Sequence, residues 1–581
     1  MRISRAQPGP VFAQPASGRP VLDVREPLAH DAAIMRKKRL LGLLCSVFLL
    51  HLAAAESPPA FPSERFRAHV EFLADDLLEG RDTGTRGHEV AARYVASQFQ
   101  AFGLEPGGDD GGWFQRVTLQ QTVRGAERGS VTITGPQGVA RFVHADNALV
   151  RMNGREPVQD VSAPLVFVGY GVEDRLLGLD DYRGLDVKGK IVVALRGFPK
   201  GMPSEEGAHV AATKAEAAQR HGAIGFVSVA TLQSEKADPW TRRLRYADDP
   251  DYGWVDADGR EHQDAPGIRV GASLNGPAAE ALFAGSARTL DHIRLEADKP
   301  DARPRGFALQ TRIRIQVESS SQRVTSPNVI GILRGTDPAL ASEYVVLLAH
   351  LDHIGVSIAR AGEPADQDRI NNGALDNATG IATMLEVARA AAAAPTQPRR
   401  SLLFLATTAE EKGLIGAEYF VRHPTVPVGQ IVGAVGLDMP LLLYPFTDVI
   451  AFGADHSSFG RLVADAVTPM NLTLAPDPMP EQGVFTRSDH YSFVKQGVPA
   501  VFLVTGFANG GEKVWPEFLG GPYHSPNDDL SQKIDWQAGA RFAEANYRIM
   551  RAIADADAPP LWVEGDFFGD TFAPKGLRAE K

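Results

Sequence analysis

The sequence predicts an α/β fold interrupted by a β-rich segment, and three observations carry that prediction. Two apolar runs, residues 345–349 and 401–408, have the length and composition of buried strands. Between them Ile381, Met384, Leu385 and Ala388 repeat at the spacing of one helix face. From about residue 135 to 315 the texture changes to short β-rich runs with frequent Gly and Pro. At 581 residues, 44% hydrophobic and 23% charged, the chain has ordinary globular composition and is too long for one core.

The chemistry is expected where the apolar runs end. The first stops at His350-Leu351-Asp352-His353 and the second at Ala409-Glu410-Glu411. Between them, Asn371-Asn372-Gly373-Ala374-Leu375-Asp376-Asn377-Ala378-Thr379-Gly380 opens the helix. In open α/β sheets ligands bind outside the carboxyl ends of the strands. Imidazole and carboxylate donors gathered there are a zinc ligand set. Each fragment alone has an ordinary explanation: a loop histidine, a solvated acidic pair, an Asp-Asn helix cap.

Together, in this order, they resemble the co-catalytic dinuclear zinc aminopeptidase family. That family includes bacterial leucyl aminopeptidases, glutamate carboxypeptidase and, as a degenerate relative, the transferrin receptor. Its patterns are met by His350-Leu351-Asp352, by residues 373–380 and by Glu410-Glu411-Lys412-Gly413-Leu414-Ile415-Gly416-Ala417. Leu437-Asp438-Met439, Ser488-Asp489-His490 and the His524 to Asp528 spacing extend the resemblance over nearly all the chain after residue 55. It implies a zinc-peptidase domain with a central mixed, mostly parallel sheet flanked by helices. It also implies an inserted β-rich protease-associated domain.

In chain order, residues 1–34 are an upstream segment without periodicity. Met35 then precedes four basic residues, an apolar run over 40–52 and Ala53-Ala54-Ala55. This is the order of a secretory signal peptide over 35–55, too short for a comfortable membrane span, and it points to Met35 as the start and to a periplasmic or secreted protein. The one cysteine, Cys45, lies inside this run, and Leu44 stands where a lipoprotein signal has a small residue. Cleavage leaves no thiol for a disulfide or a metal. The whole-chain net charge is −11, and residues 1–55 are net basic, so the remainder is more acidic still. Such a surface repels nucleic acid. Peptides are the expected partners, with no membrane contact after cleavage.

Residues 56–134 form the first part of the peptidase domain. Phe66, Val70, Phe72, Leu73 and Leu77 make one helical face; Val90, Ala91, Tyr94, Val95, Phe99 and Phe102 make a second, ending at Gly103. The turn containing Gly80-Arg81 is structural. Residues 135–315 are the insert, with strands at 165–171, 190–195 and 224–229 and a helix at 214–223. Its histidines, His209, His221, His262 and His292, are scattered and ordinary, so the insert is expected to pack over the cleft mouth without supplying ligands. The second peptidase part spans 316–557, and 558–581 is a tail, expected to be extended.

The resemblance assigns the site residue by residue. His350 and Asp438 hold one zinc, Glu411 and His524 the other, and Asp376 bridges them across a cis bond to Asn377. Asp352 accepts the second N–H of His350, fixing its tautomer. Glu410 is the general base. Tyr523 polarises the oxyanion, because the alternative tyrosine position of some relatives is here Phe485. Ser488, Asp489 and His490 form a helix cap and support the ligands, while His353 is a loop residue. The function implied is an aminopeptidase using two Zn²⁺. A one-zinc glutaminyl cyclase-type cyclotransferase, a metal-free receptor-like protein and a carboxypeptidase with a cationic pocket are the rival readings.

Overall fold

The computed structural model describes residues 59–359 and 362–580, and the expected signal peptide at 35–55 lies outside them. The described chain begins with α1 (Ser63–Leu73) and α2 (Arg86–Phe102), which bury Phe66, Val70 and Leu73 and Ala91, Val95 and Phe99. Thr85 caps α2 by accepting the His88 N–H, and Gly103 ends it at φ 82°. Phe72 and Leu77 leave the expected buried face and are 39% and 88% exposed. The helix stops at Leu73, so Leu77 falls beyond its last turn, while Phe72 stacks on Tyr94 with ring centroids 4.1 Å apart.

Between these helices Arg81 is a buried hub. Its guanidinium donates to the carbonyls of Leu351 (3.0 Å), Asn372 (2.6 Å) and Gly373 (3.1 Å), and to that of Leu73. Gly80 lets the chain approach this closely: at φ 68°, an added Cβ would lie 2.3 Å from the Asn371 carbonyl oxygen.

Strand β1 (Phe114–Arg124) leads out of the peptidase part. The insert then runs through β2 (Ser130–Gly135), β3 (Val158–Phe167), β4 (Ile191–Leu195), α3 (Ser204–Ala212), β5 (Gly225–Val229), α4 (Trp240–Arg243) and β6 (Val270–Leu274). Strand β7 (Phe307–Leu333) brings the chain back. Its first half lies between β2 and β3, and beyond β3 come β4, β5 and β6, all parallel to it. Its middle pairs with β1 from Ser319 opposite Arg124 to Val329 opposite Phe114, so a continuous antiparallel ribbon joins the two parts. The insert has its own core, in which Val193, Val227, Ile293 and Ile313 are fully buried.

The peptidase sheet continues with β8 (Tyr344–His350), α5 (Thr379–Ala393), β9 (Ser401–Thr407), β10 (Ile431–Leu437), β11 (Asp448–Phe452), α6 (His490–Val494), β12 (Ala500–Thr505) and α7 (Trp536–Asp555). Its order is β1-β7-β9-β8-β10-β12-β11. The four strands β9, β8, β10 and β12 are mutually parallel, with β7 and β11 antiparallel at either side. The mixed, mostly parallel sheet expected from the sequence is thus present. Every residue of β8 and β9 is buried, so these strands read as continuous apolar runs rather than alternating ones.

The tail is a packed element and not an extended one. Residues Trp562–Val563 pair with Arg578–Ala579, and α8 (Phe567–Phe572) buries Phe568. Trp562, Phe567, Phe568 and Phe572 give the segment enough apolar area to order itself against the domain. They also help to seat the insert. His209 of α3 contacts the Tyr491 hydroxyl at 2.6 Å and faces the rings of Phe567 and Phe572 edge-on. Beside it, His456 sits between Glu205 of α3 and Asp566, 2.6 Å from the latter.

Candidate metal centre and active site

Parallel strands bring the donors together at their carboxyl ends. His350 closes β8, and Asp438 follows β10, where Ala349 lies opposite Leu437. Glu410 and Glu411 follow β9, and His524 comes from the loop before α7. Asp376 lies in the turn before α5, and its bond to Asn377 is cis, as the resemblance led one to expect. Asn377 anchors that turn by donating to the Leu437 carbonyl (2.9 Å) and accepting the Gly380 N–H (3.1 Å). Ala409, Met439 and His524 hold positive φ values of 56°, 43° and 55°. Left-handed conformations at non-glycine residues cost ~1–3 kcal/mol and concentrate where function requires a fixed direction.

The five expected ligands converge. His350 Nε2 lies 3.1 Å from Asp438 Oδ1 and 3.2 Å from Asp376 Oδ1. His524 Nε2 lies 3.3 Å from Asp376 Oδ2 and 3.2 Å from Glu411 Oε2. The two oxygens of Asp376 therefore face different imidazoles, one toward each donor pair. Ligand atoms of His350, Asp376 and Glu411 fall within 4.8 Å of one another, the one such group among the described residues. Three carboxylates in one buried space require compensating positive charge, and imidazole nitrogens with carboxylate oxygens are donors that suit zinc. The residues present fit a metal centre.

The electrostatics divide the acids into two kinds. Burial and the Glu411 charge push the Asp376 carboxyl up, but hydrogen bonds to His350 and His524 outweigh them and hold it below the usual carboxylate range. Glu410 has no such support. Burial drives its carboxyl well above the usual range, with Asp438, Glu411 and Asp489 adding to the effect and His350 opposing it. Glu410 borders the open cleft with Asp376, Glu411, Asp438, Tyr523 and His524. Asp376 therefore favours the ionised, ligand-like form, whereas Glu410 takes up a proton more readily than an ordinary carboxylate.

Comparison with known proteins agrees with this geometry. Residues 328–550 match the model of peptidase family M28, and residues 161–259 match the PA domain. The chain carries an M28 peptidase domain. It is a metallopeptidase fold with the PA domain inserted ahead of the matched peptidase segment. Leupeptin-inactivating enzyme 1 of Streptomyces exfoliatus is 28% identical over 216 residues, covering 35% of this chain and 47% of that protein. A probable leucine aminopeptidase 2 of Aspergillus oryzae is 26% identical over 202 residues, covering 33% and 36%. The chain thus spans about half the length of the first relative and about a third of the second. Among solved structures, an aminopeptidase from Aneurinibacillus sp. strain AM-1 aligns over 86% of this chain and 95% of its own at 20% identity and a TM-score of 0.49.

Around the M28 donors the structure corrects several expectations. Asp352 supports His350 through its main chain: His350 Nδ1 lies 3.0 Å from the Asp352 carbonyl oxygen. The Asp352 carboxylate instead accepts from the Thr83 hydroxyl and the Glu410 N–H, each at 3.1 Å. Those two donors lie where the side chain points, so the carboxylate fixes the backbone of the proposed base. Asp489 is buried but does not cap α6; it accepts from the Thr407 hydroxyl at the end of β9, and no side-chain cap bond forms at that helix. Burial drives the Asp489 carboxyl up to about 7.

His353 is more than a loop residue. It is fully buried, and its Nδ1 lies 2.7 Å from Glu411 Oε1, the oxygen turned away from His524. Its position directly after the His-x-Asp motif was the available signal. Asp528 accepts the N–H groups of Leu375 (2.8 Å) and Asp376 (2.9 Å), so the far end of the His524 to Asp528 spacing shapes the Asp376 turn. Phe485 is fully buried against His490, Tyr491 and Phe568, away from the cleft. Tyr523 borders the cleft and lies against His524 with ring centroids 3.8 Å apart. The insert also reaches the cleft, through Ala237 and Arg242.

Proposed function

We propose that the M28 domain is a dinuclear zinc aminopeptidase that releases N-terminal residues from short peptides outside the cytoplasm. The observation that carries the dinuclear reading is Asp376, whose two oxygens face His350 and His524 separately. On this reading His350 and Asp438 would hold one ion, Glu411 and His524 the other, and Asp376 would be shared between them. Bound zinc would supply Lewis acidity toward the scissile carbonyl and acidify a water. Glu410 takes a proton from that water as it attacks and returns it to the leaving amine. The N–H bond from Glu410 to the Asp352 carboxylate keeps its backbone in place. Tyr523 is assigned to donate a hydrogen bond to the developing oxyanion.

Met439, Val484, Phe502, Trp515 and Leu519 form the apolar wall of the cleft and suit an uncharged side chain at the cleaved residue. The five-donor set argues against a one-zinc cyclotransferase and against a metal-free receptor. No helix among the described residues is long and apolar enough to cross a membrane, and the extracytoplasmic location rests on the signal sequence at 35–55.

The deciding experiment compares leucyl-anilide with N-acetyl-leucyl-anilide, with and without chelator, beside a zinc count per chain. Cleavage of the free amine substrate alone, abolished by chelator, with about two zinc per chain, is the expected result. Preferential cleavage of the blocked substrate would overturn the aminopeptidase reading, and one zinc per chain the dinuclear one.

A further inference from the structure

Two arginines from different parts of the chain border the cleft that holds the donors. Arg242 lies on α4 of the insert, and Arg487 lies in the turn before α6 of the peptidase part. Among the described residues, neither has a carboxylate within ion-pair distance. On α4 the adjacent Arg243 shares Asp238 with Arg196, which leaves Arg242 without that partner. The acids of the metal centre have imidazole partners instead. The Arg242 guanidinium lies over the Tyr523 ring, 5.4 Å from its centroid, and Arg487 lines the same cleft. Tyr523 in turn lies against His524. Both cations therefore line the one cleft beside the reacting centre.

Two cations lining one cleft without an ion-pair partner of their own are free to take a bound anion. Guanidinium groups match a carboxylate with paired N–H donors, and the apolar wall opposite suits a neutral side chain. We propose that Arg242 and Arg487 together bind a substrate carboxylate one residue beyond the cleaved bond, so that the insert supplies half of a specificity site. That carboxylate is either the C-terminus of a dipeptide or an acidic side chain following the cleaved residue. The proposal rests on the peptidase reading above.

The test compares wild type with R242Q, R487Q and the double variant on Leu-Leu, Leu-Leu-amide and Leu-Glu-amide. In the wild type, one of the two carboxylate-bearing substrates should exceed Leu-Leu-amide ~10-fold or more in kcat/KM, mainly through KM. Preference for Leu-Leu identifies the C-terminal carboxylate, and preference for Leu-Glu-amide the side chain; either supports the proposal. Each single variant should cut that preference ~10-fold, and the double variant should abolish it. Zinc content and urea midpoint verify that each variant is folded, and R242K restores charge without the planar fork. Equal kcat/KM for all three substrates in wild type, or a preference untouched in folded R242Q and R487Q, overturns the proposal. Cleavage of N-acetyl-Leu-Leu in preference to Leu-Leu, lost in the arginine variants, would instead overturn the aminopeptidase reading and keep the carboxylate site.

Discussion

Asp528→Ala removes a support of the Asp376 turn without replacing an assigned ligand. The buried Asp528 carboxylate accepts two main-chain N–H groups, Leu375 at 2.8 Å and Asp376 at 2.9 Å. Alanine leaves both donors buried and unpaired, and each such group costs about 1–3 kcal/mol, so the pair costs about 2–6 kcal/mol. Part of this is offset because the substitution also removes a buried acid whose pKa burial pushes up to about 6. A net destabilisation of about 2–4 kcal/mol is expected from urea midpoints at constant m-value. Because the lost bonds fix the residue assigned to span both ions, zinc affinity measured by chelator competition should fall ~10–100-fold. Asp528→Asn retains one acceptor and should lie between wild type and alanine on both scales. A folded Asp528→Ala protein within about 0.5 kcal/mol of wild type and with unchanged zinc affinity would refute the reasoning.

The other predictions concern the base, the shared ligand and the seat of the insert. Glu410→Gln should keep its zinc, counted by atomic absorption, and lose at least ~10²-fold in kcat. Asp376→Ala should lose zinc and activity together, and wild-type zinc content in that variant would mean that another residue spans the ions. Burial pushes the His456 imidazolium down, but Asp566 and Glu205 outweigh it and raise its pKa to about 10. Its unfolded value is about 6.5, so its contribution to stability is whole below that pH and is lost as pH rises through 10. The urea-midpoint gap between wild type and His456→Gln should accordingly be widest near pH 6 and shrink between pH 7 and 10; a constant gap would rule out a charged His456.

The parts of this protein most legible in its sequence are those governed by local physics. Strands β8 and β9 were readable because both faces are covered, which turns each into an unbroken apolar run. The donors were readable because parallel strands deliver their carboxyl ends to one edge. The 27-residue strand β7, by contrast, has no single pattern along its length. Its first half alternates buried and exposed residues and its last residues are continuously apolar, but between them Ser319-Ser320-Ser321-Gln322-Arg323 is polar and resembles a loop. Those residues are strand because β1 pairs with them across a long sequence separation, and no local pattern encodes that partner. The roles of Asp352 and His353 are likewise set by the fold: the main-chain carbonyl of Asp352 faces His350, and the His353 ring meets Glu411 from the end of another strand.

The same long-range pairing gives the insert its bearing on the cleft. A segment tethered by two flexible linkers could present Arg242 to the donors only part of the time. Here the β1–β7 ribbon fixes one side of the insert, and the docking of α3 through His209 and Glu205 fixes another. Two attachments at separate places leave little freedom to rotate, so Arg242 is held over Tyr523 by the packing of the fold. Weakening the α3 docking should then act on substrate selection as well as on stability. Tyr491→Phe, which removes the hydroxyl facing His209, touches neither arginine nor the donors. It should lower the preference for carboxylate-bearing substrates while zinc content stays at the wild-type level. If that preference survives in Tyr491→Phe while its urea midpoint falls, the ribbon alone holds Arg242 in place, and the α3 contact serves stability only.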